Sequence, residues 1–170
     1  DIGIVDYVDF TKDGYPELPS LYKKLFLNKT LLSEPDVAYE DPKNLTGDIG
    51  EEHKPTILAA LQISSDDYDL LTNSSVFEFD GKLTLPNLSK LYRYSIFAKR
   101  LGYTIEEFLQ LITLIGISPF TNPKTTFEFL ENEKLLRKSG FSLEEINYLL
   151  NDIYDEESGV APTTDEISVF

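Results

Sequence analysis

Cysteine, methionine and tryptophan are all absent from the 170 residues. Without cysteine there is no disulfide framework and no thiolate to act as nucleophile or metal ligand. The redox compartment is therefore not written in the sequence. Histidine occurs once, at His53. A Ser-His-Asp site would have to use it, and no nucleophile motif accompanies it. Basic residues are scarce, 15 against 30 acids, for a net charge of −15. Such a surface repels phosphates, which argues against nucleic acid as a partner and against adsorption to anionic membranes. No apolar run approaches the roughly 18 residues of a spanning helix, and no stretch has the layout of a signal peptide. Methionine is missing even at position 1, where the chain opens on Asp1.

What is present is core-forming material. Hydrophobic residues make up 41% of the chain, too many for a disordered acidic tail. The length suits one domain with a real core.

One phrase occurs four times: ISSDDYDLL at 63–71, YTIEEFLQLI at 103–112, GFSLEEINYLL at 140–150 and APTTDEISVF at 161–170. Each has a hydroxyl residue, a spacer, two acids and then apolar residues. This is the start of a helix. Ser64, Thr104, Ser142 and Thr163 are N-cap residues, able to accept a hydrogen bond from a free backbone N–H. Three residues on stand Asp67, Glu107, Glu145 and Glu166, placed to reach back to the cap's own N–H in a capping box. Asp67, being shorter, fits that role less well. The acids just before them suit the positive end of the helix dipole. Tyr103 and Phe141 precede their caps, as a hydrophobic staple requires.

Between these phrases the chain reads as helices and turns. Residues 1–52 form an irregular arm, a short helix at SLYKKLFL (20–27) and a long loop at 33–52 that is rich in Pro, Gly and acids. Loops of that length are often functional. Residues 53–170 form the helical core. Pro55 suits a first helical turn, which predicts a short helix at KPTILAAL with His53 just before it. Asp80-Gly81, set between alternating apolar residues, is a hairpin signal and predicts a small ribbon from Phe77, Phe79, Leu83 and Leu85. Asn87 to Leu101 reads as a helix ended by Gly102. The following helix, Thr104 to Ile115, is apolar nearly all round and is placed at the centre. Asn122-Pro123 opens another, carrying a Glu133–Arg137 pair and ending at Gly140. The fold class expected is mainly α: a single domain of stacked αα-hairpins, with the small β-hairpin as an optional addition.

Other polar groups read as structural. Asp66, Asp67 and Asp69, and the acids at 155–157, lack the ligand spacing and glycine of a calcium loop. The cations Lys90, Arg93, Lys99 and Arg100 read as a helix face paired with neighbouring acids. No catalytic residue, cofactor site or metal site is predicted. Asn28, Asn44, Asn73 and Asn87 lie in glycosylation-type triplets, which occur freely by chance.

The order of HKPTILAALQISSDD, LTLPNLSKLYRYSIFAKRLGYTIEEFLQLITLIGISPF and FEFLENEKLLRKSGFSLEEINYLL, flanked by LYKKLFLNKTLL and VAPTTDEISVF, resembles the A component of bacterial insecticidal toxin complexes (Tc toxins). The likeness covers roughly residues 20 to 170 and lies in the succession of phrases rather than in any one of them. It implies a piece of the N-terminal α-helical shell of a very large, secreted or cell-surface pentameric protein. Such a protein binds a target-cell receptor, opens its shell on a change of pH and inserts a channel that delivers a toxic enzyme. The matched segment holds neither channel nor enzyme, so no chemistry and no membrane insertion are expected of it. Its partners would be other regions of the same chain and sister subunits. The alternative is a free-standing α-helical binding module that grips a partner through the loop at 33–52. The two-turn helix start at Thr163 suggests a segment cut from a longer protein, in which that helix continues.

Overall fold

Most of the helices begin where a side chain satisfies the backbone N–H groups that a first turn leaves free. The computed structural model describes residues 19–30, 34–151 and 160. Among them are seven α-helices and neither strand nor sheet, so the protein is mainly helical, a helical bundle. In order they are α1 (Leu21–Phe26), α2 (Gly50–Leu61), α3 (Ser65–Asn73), α4 (Leu85–Leu101), α5 (Ile105–Ile115), α6 (Pro123–Ser139) and α7 (Leu143–Asn151), with a 3₁₀ turn at Val37–Tyr39. The chain divides into two compact units, Asp1–Glu106 and Glu107–Phe170.

In the first unit α1 packs on α2, and α2 on α4. Ser20 caps α1 through Lys23 N–H at 3.2 Å. Tyr22 and Phe26 are fully buried on that helix, and Phe26 stacks on Tyr39 with ring centroids 5.5 Å apart. The core continues through Ile57, Leu71, Phe77, Leu83, Leu88, Leu91 and Ala98, all with no exposed surface. Each large apolar side chain removed from water in this way contributes about 1.5–3 kcal/mol before entropy is counted. Tyr94, three residues after Leu91 and four before Ala98 on the same helix face, is also buried. Its ring meets Phe77 edge-on at 4.9 Å, and its hydroxyl donates to Val76 O at 3.1 Å.

Three expectations are corrected here. The Asp80-Gly81 turn does not build a hairpin. Its residues pair instead with the 33–52 loop, through an isolated antiparallel bridge between Asp48 and Lys82. Ile49 N–H donates to Gly81 O at 2.8 Å, and Leu83 N–H to Gly47 O at 2.9 Å. Leu85, expected in the ribbon, is the first residue of α4, whose N-cap is Thr84. The alternating pattern was real, but Phe77 and Leu83 are buried in the helical core rather than on one face of a ribbon. Finally, α2 starts at Gly50, so Pro55 and His53 lie inside it. A proline in the second turn forfeits one backbone hydrogen bond, and the buried Ile49, Ile57, Ala60 and Leu61 around it hold the helix nonetheless.

In the second unit Phe108 of α5 is fully buried. Phe129 of α6 meets it edge-on at 6.0 Å, and Phe120 lies at 6.5 Å. On α5, Ile105, Leu111 and Ile112 are buried as well, while Leu109, Leu114 and Ile115 are half-buried. Asn122 and Thr125 form a reciprocal capping box at the start of α6, with Pro123 as its first residue. Helices α4 and α6 both end at a glycine with φ of 81°, Gly102 and Gly140. A side chain at either would face the left-handed backbone penalty.

Candidate functional site

The only histidine lies in the best-organised polar cluster of the first unit. The 3₁₀ turn brings Asp36 over α2, where His53 Nδ1 sits 2.7 Å from Asp36 Oδ2. Both side chains are 20% exposed. An ionised carboxylate only accepts, so the proton of this bond sits on Nδ1. The second Asp36 oxygen accepts from Ala38 N–H at 3.0 Å, which fixes the carboxylate's orientation. Beneath the pair, Tyr39 donates its hydroxyl to His53 O at 2.9 Å, and Tyr22 donates to Tyr39 O at 2.9 Å. Burial, with Asp41 and Asp36 adding their charge, holds the Tyr22 hydroxyl far above the usual tyrosine range. Burial and then Asp36 do the same for Tyr39. Both are therefore neutral donors.

A His-Asp pair with the proton on Nδ1 is the orienting half of a nucleophilic triad. The other half is missing: among the described residues no hydroxyl is hydrogen-bonded to Nε2 of His53. What the cluster does is fasten the 34–49 segment to α2. Tyr39 and Ile49 are anchored in the core, while Val37, beside the Asp36–His53 bond, is 73% exposed. So the segment is held at both ends, and Val37 is its exposed large apolar side chain.

The helix-cap residues are spread through the chain rather than gathered. Ser64 Oγ accepts from Asp67 N–H and Asp67 Oδ2 accepts from Ser64 N–H, each at 3.0 Å. Thus the shorter acid still closes a capping box on α3. Ser142 Oγ accepts from Glu145 N–H at 3.1 Å, and Glu145 Oε2 accepts from Ser142 N–H at 2.7 Å. Thr104 immediately precedes α5, with Glu107 as its third residue. Thr163 and Glu166 lie outside the described residues, as do the acids at 155–157.

The remaining charges pair locally. Lys54 is buried, donates to Asp69 at 2.8 Å and lies 5.0 Å over the Tyr68 ring. The Asp69 hydrogen bond raises the Lys54 pKa. Burial, with help from Asp69 and Glu51, pushes Tyr68 up to about 12. Glu133, itself buried, receives Arg137 at 2.6 Å. The cations of α4 depart from expectation: no ion pair with a described carboxylate involves them. Lys90 donates to Glu78 O at 2.8 Å and covers the Phe77 ring. Lys99 donates to Leu61 O and Gln62 O, at 2.7 and 2.8 Å. These are carbonyls at the end of α2, where a cation suits the helix dipole. A cavity of about 220 Å³ opens beside this cap, lined by Leu25, Ala60, Leu61, Tyr92, Ile96 and Lys99 among others. No group of three or more His, Asp or Glu among the described residues is arranged to hold a metal ion. No described helix is long and apolar enough to cross a membrane.

Comparison with known proteins identifies no relative: no family model, no curated protein and no solved structure matches the chain.

Proposed function

We propose that this chain is a structural piece of the α-helical shell of a toxin-translocation subunit of the Tc A type, with no chemistry of its own. The observation that carries the reading is the succession of quoted phrases over residues 20 to 170. The mainly helical fold supports it. So does the face of α7, where Leu149 and Leu150 are exposed, as suits a unit stacked within a longer helical array. The parent would be a secreted or surface-displayed pentamer, contacting sister subunits and a cell receptor through its assembled shell. Electron microscopy of the full parent protein tests this. A pentameric particle with this segment in its outer helical wall is expected; a small monomer without a channel would refute it.

A second reading is a free-standing binding module that holds a protein partner through the 34–49 segment. The support is Val37, exposed on a segment pinned by Asp36–His53 and by the Asp48–Lys82 bridge. A rigid loop with an exposed apolar tip loses little entropy on binding. Val37→Asp would abolish partner capture under this reading and leave a shell assembly intact.

A further inference from the structure

Acids outnumber bases in this chain, 30 to 15, yet Lys90, Arg93 and Arg100 of α4 form no ion pair with any described carboxylate. Their spacing of three and then seven residues puts them on one stripe of the helix. At 1.5 Å per residue the stripe runs about 15 Å along the axis. Lys90 and Arg93 are half-buried and Arg100 is exposed. The remaining cation of α4, Lys99, lies on another side of the helix and is occupied by the carbonyls of Leu61 and Gln62.

Arg93 stands out within the stripe. Its Nε is buried and has no hydrogen-bond partner. Leaving a buried donor unmet is costly, and a guanidinium partly withdrawn from water holds an anion more strongly than one in full solvent. With Nε closed off, the two terminal nitrogens are the groups left to receive an acceptor, and together they suit the two oxygens of a carboxylate. Burial lowers the Lys90 pKa; Glu78 opposes this, and the charge of Arg93 adds to it. Glu78 nonetheless offers Lys90 its backbone carbonyl rather than its carboxylate.

We propose that this stripe of α4 is a docking surface for an acidic helix of a partner protein, which aligns carboxylates with Lys90, Arg93 and Arg100. A helix laid alongside α4 repeats its acids at the same three- and four-residue spacing, so it meets cations distributed over about 15 Å. One small anion cannot span that length. A nucleic-acid duplex carries a charge about every 1.7 Å and would extend past the stripe onto a chain of net charge −15. An acidic helix confines its charge to one face and avoids that repulsion. The inference holds equally for a shell segment and for a free-standing module.

The test uses the full 170-residue protein and a fluorescein-labelled, alanine-based helical peptide with glutamates at positions i, i+3 and i+10. Binding is followed by fluorescence anisotropy at about 0.1 M salt, where charges more than about 10 Å apart are largely screened. The glutamate peptide should bind, and the same peptide with glutamines should bind at least about tenfold more weakly. Arg93→Gln should weaken binding of the glutamate peptide by about tenfold. Arg100→Gln, at an exposed position, should weaken it by about threefold and keeps the test valid if Arg93→Gln perturbs the fold. No binding, equal binding of the two peptides, or unchanged binding by the folded variants would overturn the inference. Tighter binding of a single-stranded DNA oligonucleotide would overturn it in favour of nucleic acid, and displacement of the peptide by millimolar inorganic phosphate in favour of a small anion. None of these outcomes depends on whether the parent is a toxin subunit.

Discussion

His53 and Asp36, seventeen residues apart, meet at 2.7 Å and tie a loop to the first turn of α2. The bond is half-sheltered, so removing one partner strands the other. We expect His53→Ala to cost about 1–2 kcal/mol in urea unfolding. His53→Asn, whose amide N–H occupies nearly the place of Nδ1, should recover much of that loss. If Asn is as damaging as Ala, the Asp36 bond does not hold the loop.

The Ser142–Glu145 box is reciprocal, with both hydrogen bonds formed. Ser142→Ala should cost about 1 kcal/mol and Glu145→Ala less. The double variant should lose less than the sum, since each residue's bond depends on the helix start that the other defines. Strict additivity in a double-mutant cycle would mean the two bonds act independently.

Two ion pairs of similar length should differ in worth. Lys54 is buried against Tyr68 and pairs with Asp69, whereas Lys82 and Asp48 are both more than half exposed at 2.6 Å. Asp69→Ala should destabilise by about 1–2 kcal/mol because it leaves a buried ammonium without its carboxylate. Asp48→Ala should change stability by less than about 0.5 kcal/mol at moderate salt. Equal effects would show that burial of Lys54 is not what sets the difference.

Alkaline pH should weaken the fold through particular tyrosines. Burial raises the pKa of Tyr22 and Tyr39 well above the ordinary value near 10, and that of Tyr68 to about 12. Below about pH 10 the unfolded chain keeps these protons too, so the stabilisation is complete. Above it the unfolded state loses protons first, and stability falls by up to about 1.4 kcal/mol per pH unit for each such tyrosine. Urea midpoints should therefore decline from about pH 10 upward, and Tyr39→Phe should flatten the decline. The acidic surface, repelling itself more strongly as lysines titrate, acts in the same direction. A midpoint that stays level over this range would rule out the burial effect.

The helix starts and stops marked by a capping side chain or a terminal glycine were legible in the sequence, because they depend on residues within four positions of each other. Helix α2, which has no side-chain cap, starts four residues ahead of its expected position. Ser64, Ser142, Asn122, Gly102 and Gly140 announce themselves through a hydroxyl, an amide or a missing Cβ, and the backbone answers locally. The mainly helical fold followed from the same short-range chemistry. Contacts across long separations were not legible. That Lys82 would bridge to Asp48, 34 residues away, and not fold back on Phe77 and Phe79 goes with the burial of Phe77 against Tyr94 of α4. That α4's lysines would seek carbonyls at Glu78 and at the end of α2 was decided by which chain ends came to lie beside them. The joining of Asp36 to His53 has the same origin. A local pattern is written in adjacent residues, but a partner 17 or more positions distant is chosen by the packing free energy of the whole core, which no short stretch carries.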